Sequence, residues 1–298
     1  MLSRYLAAVV IIVLHCSCLV LSAKPFIKTI DPSLSWRIIG GSDAPEGLYP
    51  YQVSLRRKQL GPNVRSAYVI TESSCEINKQ NTNPLELDTT LGYHTCGGSI
   101  LNSDYVLTAA HCVSYESPSD FYVVVGSNKL NSGGTTHAVT EIHWHSGFSI
   151  WHGQNDIAVL KVSPSIIFTK TINSVILEQE EIGSNETVVL SGWGSTDFPG
   201  RIPEKLQHIN LETVSNEYCK SLHQLPVSEH QICTSTIKGE GACKGDSGGP
   251  LVKTYPSGEV RQVGIVSFGR KCAKGYPDVF TKTSSFISWI RDKCNNCV

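Results

Sequence analysis

The sequence has almost no net charge and no long uninterrupted apolar run. Its 298 residues carry 25 Lys and Arg against 26 Asp and Glu, a formal net charge of -1. Nucleic-acid binding needs an excess of positive charge, so this composition gives no support to such a function. The apolar run at residues 6–14 ends at His15, whereas a membrane-spanning helix needs about 20 apolar residues. We therefore expect no nucleic-acid partner and no membrane span.

The apolar run is typical of a secretory signal peptide. Arg4 precedes it, and the small residues Ser22 and Ala23 follow it as a cleavage site. We expect residues 1–23 to be removed and the mature protein to be secreted and extracellular. A signal anchor is the alternative.

Metal-binding patterns are also scarce. Cys294 and Cys297 have a CxxC spacing, but no second pair and no clustered histidines complete a zinc site. Residues 127–134 form a loop without any acidic side chain, and calcium prefers carboxylate oxygens. We expect no metal and no other cofactor.

Three motifs each supply one residue for nucleophilic catalysis. Ser247 lies in the sequence GDSGGP, His111 in TAAHC and Asp156 in NDIAVL. A serine hydroxyl is a weak nucleophile unless a base accepts its proton, and a histidine base needs an acidic group to orient it. Glycines beside the nucleophile allow backbone amides to converge on a developing oxyanion.

With the order His111, Asp156, Ser247 along the chain, the motifs resemble those of the trypsin/chymotrypsin family of serine proteases, over about residues 37–290. The resemblance implies that Ser247 is the nucleophile, His111 the general base and then acid, and Asp156 the group that orients the imidazole. Backbone amides of Gly245 and Ser247 would form the oxyanion hole. The implied function is hydrolysis of peptide bonds in proteins or peptides through an acyl-enzyme. The implied protein is a monomer, and protein protease inhibitors are further expected partners.

Short β-rich runs separated by Gly, Pro, Asn and Ser predict an all-β sandwich or barrel. The resemblance selects two packed antiparallel six-stranded β barrels, with the first ending near residue 165 and the active site between them. An amphipathic helix is expected at the C-terminus, over Ser284–Lys293. The clearest predicted strands are Tyr51–Leu55, Tyr105–Ala109, Phe121–Val125, Ile157–Val162, Thr187–Leu190, Val263–Phe268 and Val279–Thr281.

Residues 24–37 resemble an activation propeptide before a protease domain at 38–298. Cleavage after Arg37 by a trypsin-like protease would create a new ammonium group at Ile38. In the family, this ammonium pairs with the aspartate beside the nucleophile, here Asp246. An unpaired buried carboxylate costs roughly 3–5 kcal/mol, so the precursor should be inactive. An exposed basic residue in a linker is the alternative explanation of Arg37.

The predicted substrate pocket departs from that of trypsins, which carry an aspartate six residues before the nucleophile. Gly241 occupies that position, which favours cleavage after Phe, Tyr or Leu. Ser267 and Gly269 would bind the substrate backbone and leave the pocket mouth open. Asp278 stands where many relatives have glycine, a pattern similar to arthropod chymotrypsins and crustacean collagenolytic serine proteases. It either attracts basic side chains into the pocket or bonds to the backbone and shapes the pocket floor.

Nine of the 11 cysteines lie beyond the signal peptide. Because nine is odd, at least one thiol should be free or bonded to another chain. Cys75, Cys294 and Cys297 have no partner assigned by the resemblance. The disulfides that the resemblance implies are Cys96–Cys112, Cys219–Cys233 and Cys243–Cys272.

Two further stretches stand apart from these motifs. Residues 57–90 form a polar insertion where the family has a short hairpin loop, and a surface loop, a disordered insertion and a translated intron are its three explanations. Asn185, Glu186 and Thr187 form an N-glycosylation sequon.

The leading functional prediction is a digestive protease, because the 14-residue segment at 24–37 holds no cysteine-rich module. A venom, salivary or immune protease would use the same chemistry. A binding protein that has lost catalysis is disfavoured, since all three catalytic residue types are present.

Overall fold

The computed structural model describes residues 38–58, 92–196, 200–223, 226–235, 239–269 and 272–298. Residues 1–37, which include the predicted signal peptide, the propeptide and Arg37, lie outside this range. The strands are β1 (Ser42–Asp43), β2 (Gln52–Arg57), β3 (Tyr93–Ile100), β4 (Tyr105–Thr108), β5 (Phe121–Val125), β6 (Thr135–Trp144), β7 (Ala158–Ser163), β8 (Ile176–Leu177), β9 (Thr187–Gly192), β10 (Gln207–Val214), β11 (Gln231–Ser235), β12 (Pro250–Thr254), β13 (Val260–Gly269) and β14 (Asp278–Lys282), and the helices are α1 (Asn216–His223) and α2 (Ile287–Lys293).

The first barrel closes in the order β2-β3-β4-β7-β6-β5, with antiparallel neighbours throughout. Side chains alternate between the two faces of a strand, so one face of β2 fills the barrel with Val53 and Leu55. Its other face places Gln52 against the second barrel, where Ser191 Oγ donates to Gln52 Oε1 at 2.7 Å. The alternation therefore serves both the barrel core and the contact between barrels.

The second barrel closes in the order β9-β10-β11-β14-β13-β12, also antiparallel. Strand β1 pairs with β10 outside this ring, and β8 pairs in parallel with β13. Its interior contains Ile38, Leu190, Leu251 and Phe280, all fully buried. The all-β fold with two six-stranded barrels that the resemblance implied is confirmed.

The C-terminal helix packs on a third apolar cluster drawn from both barrels. Phe286 and Ile290 are buried there against Leu107 of β4, Val159 of β7 and Ile265 of β13. A 3-10 turn at Thr283–Phe286 begins this segment and α2 continues it to Lys293. The helix thus lies at the seam of the two barrels.

Helix α1 is absent from the sequence-based prediction. Of its eight residues, Cys219 and His223 are buried, and the segment is too short for a clear sequence signal. The bond from Cys219 to Cys233 of β11 anchors it to the second barrel. A helix of eight residues is marginal on its own, so this tertiary attachment contributes to its stability.

Four disulfides are bonded in the described part of the chain. They include the three implied pairs and one that the resemblance did not assign, between Cys294 and Cys297 at the end of α2. Cys75 lies outside the described residues.

The insertion at 57–90 is described only at its first two residues. Arg57 belongs to β2 and pairs with Tyr93 of β3, so the hairpin continues to this point. Residues 59–91 lie outside the described range, and the three explanations of the insertion stay predictions. No helix in the described part of the chain is long and apolar enough to cross a membrane.

Candidate active site

The predicted nucleophile lies in a tight turn that leads into β12. Gly245 and Gly248 have φ angles of 102° and 76°, which L-residues with a side chain rarely adopt. A Cβ on Gly248 would also lie 2.2 Å from Thr108 Oγ1. The carbonyl of Ser247 accepts a hydrogen bond from Gly97 N at 2.7 Å. The turn is therefore held against strands of the first barrel.

The predicted base and its partner lie in direct contact. His111 occupies a 3-10 turn at Ala110–Cys112, and its Nδ1 lies 2.7 Å from Asp156 Oδ2. The amide of His111 donates to the other carboxylate oxygen at 2.9 Å. This pairing requires that Nδ1 carry the proton and leaves Nε2 as the basic nitrogen.

The second barrel also holds the Asp156 side chain, which is only 2% exposed. Ser267 Oγ donates to Asp156 Oδ2 at 2.6 Å, and Thr281 Oγ1 donates to the Asp156 carbonyl at 2.8 Å. Sequence reasoning assigned Ser267 a backbone role only. The hydrogen bond from the Ser267 hydroxyl joins residues 111 positions apart, so no local sequence pattern could have predicted it.

Electrostatics favour a charged imidazole at His111. Burial lowers its pKa, but the hydrogen bond from the ring to Asp156 and the carboxylate charge outweigh this effect and raise the pKa above 6.5. The site therefore stabilises the protonated base that proton transfer from a serine would create.

Two cavities meet beside these residues. The first, of about 320 Å³, is lined by His111 and Asp156, and the second, of about 350 Å³, is lined by Ser247. Ser267 and Phe268 line both. The three predicted catalytic residues thus line two neighbouring cavities that share the Ser267 and Phe268 walls, and among the described residues Ser247 and His111 form no hydrogen bond.

Asp278, which is 4% exposed, lines the second cavity. Its Oδ2 accepts a hydrogen bond from Ala242 N at 2.6 Å, and a Cβ on Gly269 would lie 2.6 Å from its Oδ1. Burial raises the pKa of Asp278 to about 7, against the lowering effect of the Ala242 amide, and the charge of Asp246 raises it further. The Asp278 side chain therefore lines the cavity and bonds to its backbone, and the attraction of basic side chains stays a prediction.

Gly241 precedes the described residues that line this cavity, and its role in the substrate pocket stays a prediction. Its amide donates to the carbonyl of Ile39 at 3.1 Å, and its φ of 130° favours glycine. The lining at this point comes from Ala242, Cys243 and Lys244.

The first cavity has an apolar wall that the sequence did not indicate as part of the site. Phe148, Ile150 and Trp151 line it, and Trp151 is 86% exposed. A Cβ on Gly153 would lie 2.4 Å from the Phe268 ring, so the loop that carries Trp151 packs closely on the cleft. This wall suits an apolar side chain next to His111.

Asp246 lies in a closed site behind the nucleophile turn. Gly194 N donates to Oδ1 at 2.7 Å and Cys243 N donates to Oδ2 at 2.9 Å. Burial raises its pKa to about 7, despite the lowering effect of the two amides. Ile38, whose nitrogen is in a peptide bond in the uncleaved chain, is buried in the core of the same barrel.

A buried histidine, His94, supports the turn from the first barrel. Its Nε2 donates to the Gly245 carbonyl at 2.9 Å, and its Nδ1 accepts from Ser54 Oγ at 2.9 Å. Burial lowers the pKa of His94 to about 4, so the ring is neutral near pH 7. No motif marks this residue.

A group of possible metal ligands beside the site contains a disulfide. Cys96, Cys112 and His111 lie close together, and Cys112 Sγ is 3.7 Å from His111 Nε2. The two sulfurs are bonded to each other, and zinc binds thiolates rather than disulfides. This group is therefore a structural clamp beside His111.

Comparison with known proteins gives a consistent result. The family model described as Trypsin matches residues 38–290. Chymotrypsin-2 of Vespa crabro is 38% identical over 255 residues, covering 85% of this chain and 98% of that protein. Trypsin delta of Drosophila melanogaster is 33% identical over 264 residues (87% and 89%), and Trypsin-1 of Astacus astacus is 32% identical over 263 residues (85% and 98%).

Proposed function

Because this chain belongs to the trypsin family of serine endopeptidases, we propose that it is a secreted digestive protease, made as an inactive precursor. The observation that carries the proposal is the Asp156 carboxylate held between His111 and Ser267, with Ser247 on the adjoining cavity wall. Family membership implies protein substrates.

In the proposed mechanism, Ser247 Oγ attacks the carbonyl carbon of the scissile bond and its proton passes to His111 Nε2. The C–N bond then breaks, and His111 returns the proton to the leaving amine. Water hydrolyses the resulting ester by the same steps in reverse. Asp156 keeps the imidazole oriented and stabilises its charge, which fits the raised pKa of His111.

The amides of Gly245 and Ser247 are the proposed oxyanion hole. Among the described residues, neither amide has a backbone acceptor, so both remain available for a developing negative charge. The hydrogen bond from His94 to the Gly245 carbonyl supports the orientation of the Gly245–Asp246 peptide. One such donor contributes about 10²–10³-fold to turnover in a related system.

Activation is proposed to follow cleavage after Arg37. The new ammonium of Ile38 would pair with Asp246, whose carboxylate is buried with only backbone amides as partners among the described residues. The raised pKa of Asp246 in the uncleaved chain supports this proposal, since a cation is what the site lacks.

For specificity we propose cleavage after Phe, Tyr or Leu, with tolerance for Arg and Lys at higher pH. The cavity beside Ser247 is lined by Val266, Phe268 and Ala242, which suit an apolar side chain. Asp278 adds a carboxyl whose pKa of about 7 makes its charge depend on pH. Trypsin-like specificity through a fully charged Asp278 is the alternative.

The test uses fluorogenic peptides that differ only at the residue before the scissile bond. The precursor is cleaved with trypsin, the Ile38 N-terminus is confirmed by mass, and trypsin is removed. Turnover after Phe, Tyr or Leu that disappears in Ser247→Ala is the expected result. An inactive enzyme with the correct N-terminus would overturn the proposal, and a preference for Arg and Lys at every pH would favour the alternative.

A further inference from the structure

We propose that Asn185 is an N-glycosylation site and carries a glycan on the second barrel, away from the catalytic cleft. The proposal rests on the secretion proposed above, because the glycan is added in the secretory pathway. Asn185-Glu186-Thr187 is the single Asn-x-Ser/Thr sequence with x other than Pro in the chain. Any N-linked glycan at a sequon of this type must therefore be attached to Asn185.

The backbone around Asn185 is held without using its side chain. Asn185 N donates to the Thr213 carbonyl at 2.8 Å, and Glu186 N donates to Thr213 Oγ1 at 3.0 Å. Thr213 N donates in return to the Glu186 carbonyl at 3.0 Å. Among the described residues, the Asn185 amide group has no hydrogen-bond partner, so its nitrogen is available for modification.

The turn also projects both sequon side chains into solvent. Asn185 has a φ of 63°, which places it at a tight turn just before β9, a conformation that asparagine tolerates well. Asn185 and Thr187 are both exposed. A Cβ on nearby Gly183 would meet no described atom within 4 Å. The surface around the turn therefore has room for a bulky group.

The position of the turn keeps a glycan clear of the cleft. Strand β9 runs from Thr187 to Gly192, and Gly194 just beyond it contacts Asp246 behind the nucleophile turn. At 3.3 Å per residue, the strand separates the sequon from this region by about 17 Å. A glycan at Asn185 should therefore leave peptide hydrolysis unchanged.

The proposed modification is a simple group transfer. Asn185 Nδ2 forms a bond to the anomeric carbon of an oligosaccharide, while the bond from that carbon to its lipid pyrophosphate carrier breaks. One amide proton is released and the lipid pyrophosphate leaves.

The test compares two substitutions of the exposed Thr187, at the first residue of β9. Thr187→Ser preserves the sequon, whereas Thr187→Val removes the hydroxyl and keeps a β-branched side chain suited to a strand. Each variant is expressed in eukaryotic cells with an established signal peptide. The wild type is expressed in parallel with its own N-terminus. Intact mass is measured before and after peptide N-glycosidase, and kcat/KM after activation.

Wild type and Thr187→Ser should carry a glycan that the glycosidase removes, leaving Asp at position 185. Thr187→Val should lack it, with kcat/KM unchanged in all three. Secreted, active wild type with unmodified Asn185 would overturn the proposal. If Thr187→Ser is secreted with a glycan but the wild type with its own N-terminus is not secreted, the glycosylation site stands and the proposed secretion fails.

Discussion

Three buried aspartates differ in the number of donors that reach their carboxylates. Asp156 accepts from the amide and ring of His111 and from Ser267, Asp246 accepts from two backbone amides, and Asp278 accepts from one. Burial disfavours an ionised carboxylate unless donors compensate it. The pKa values of Asp246 and Asp278 are accordingly raised to about 7 by burial.

Specificity should therefore change with pH through Asp278. We expect the ratio of kcat/KM for Arg or Lys substrates to that for Phe substrates to rise about tenfold from pH 5.5 to 8.5, a barrier difference of about 1.4 kcal/mol. The reason is that Asp278 gains charge as pH passes its pKa of about 7. Titration of His111 affects kcat/KM for both substrates equally, so its effect cancels in the ratio.

The matched control for this prediction is Asp278→Asn, which keeps an oxygen acceptor for the Ala242 amide but has no charge. Its ratio should stay low and flat over the same pH range. A ratio in the wild type that does not vary with pH would refute the role assigned to Asp278.

At the residue scale, local motifs predicted the residues now found around the cleft but not how they are supported. His111, Asp156 and Ser247 stand in distinctive sequences. The contacts of Ser267 with Asp156 and of His94 with Gly245 join residues 111 and 151 positions apart. Such contacts depend on how two barrels pack, and no local pattern encodes them.

At the scale of elements, the C-terminal helix closes the seam between the barrels. Cys294 is 1% exposed in the apolar cluster that the helix covers, and it is bonded to Cys297. Asn295, between them, donates to Tyr105 Oη of the first barrel at 3.0 Å. The CxxC spacing alone did not predict a disulfide at the seam of the barrels, because that position depends on burial and on the neighbouring strand.

Removing the C-terminal disulfide should be less costly than removing the one beside the substrate cavity. The separations of 3 and 29 residues correspond to losses of about 2 and about 3.5 kcal/mol from loop entropy. Urea unfolding of the double variants Cys294→Ala/Cys297→Ala and Cys243→Ala/Cys272→Ala measures these costs. Only the second should raise KM, since Cys243 and Cys272 line the cavity. The reverse order of stabilities would contradict the prediction.

At the scale of the whole molecule, the cleft exists only where the two barrels meet. His111 and Asp156 are held on the first barrel and Ser247 on the second, while Ser267 of the second barrel reaches Asp156. The proposed inactivity of the precursor would also be a property of the whole chain, because Asp246 is buried without a cation among the described residues.

The stability of the uncleaved precursor should fall as pH rises from about 4 to 7. Asp246 and Asp278 have pKa values raised from 3.8 to about 7 by burial, so the folded state binds their protons more tightly than the unfolded state does. The stabilisation is full below pH 3.8 and is lost as pH rises towards 7, by up to roughly 4 kcal/mol per group.

Urea unfolding of the Ser247→Ala precursor, which cannot digest itself, measures this dependence. Asp278→Asn in that background should reduce the slope with pH, and cleavage after Arg37 should reduce it further because the Ile38 ammonium would compensate Asp246. An identical slope in all three proteins would show that neither carboxyl is responsible.

The family, the β-rich architecture and the identity of the predicted catalytic residues could be inferred from the sequence alone, because short motifs and strand alternation are local properties of a chain. The remaining features depend on how the two barrels pack. This packing set the three donors on Asp156, the placement of Asp278 in the cavity wall, the contact of His94 with Gly245 and the bond between Cys294 and Cys297. Each of these depends on burial or on partners from distant segments, and burial is fixed only when both barrels are packed together.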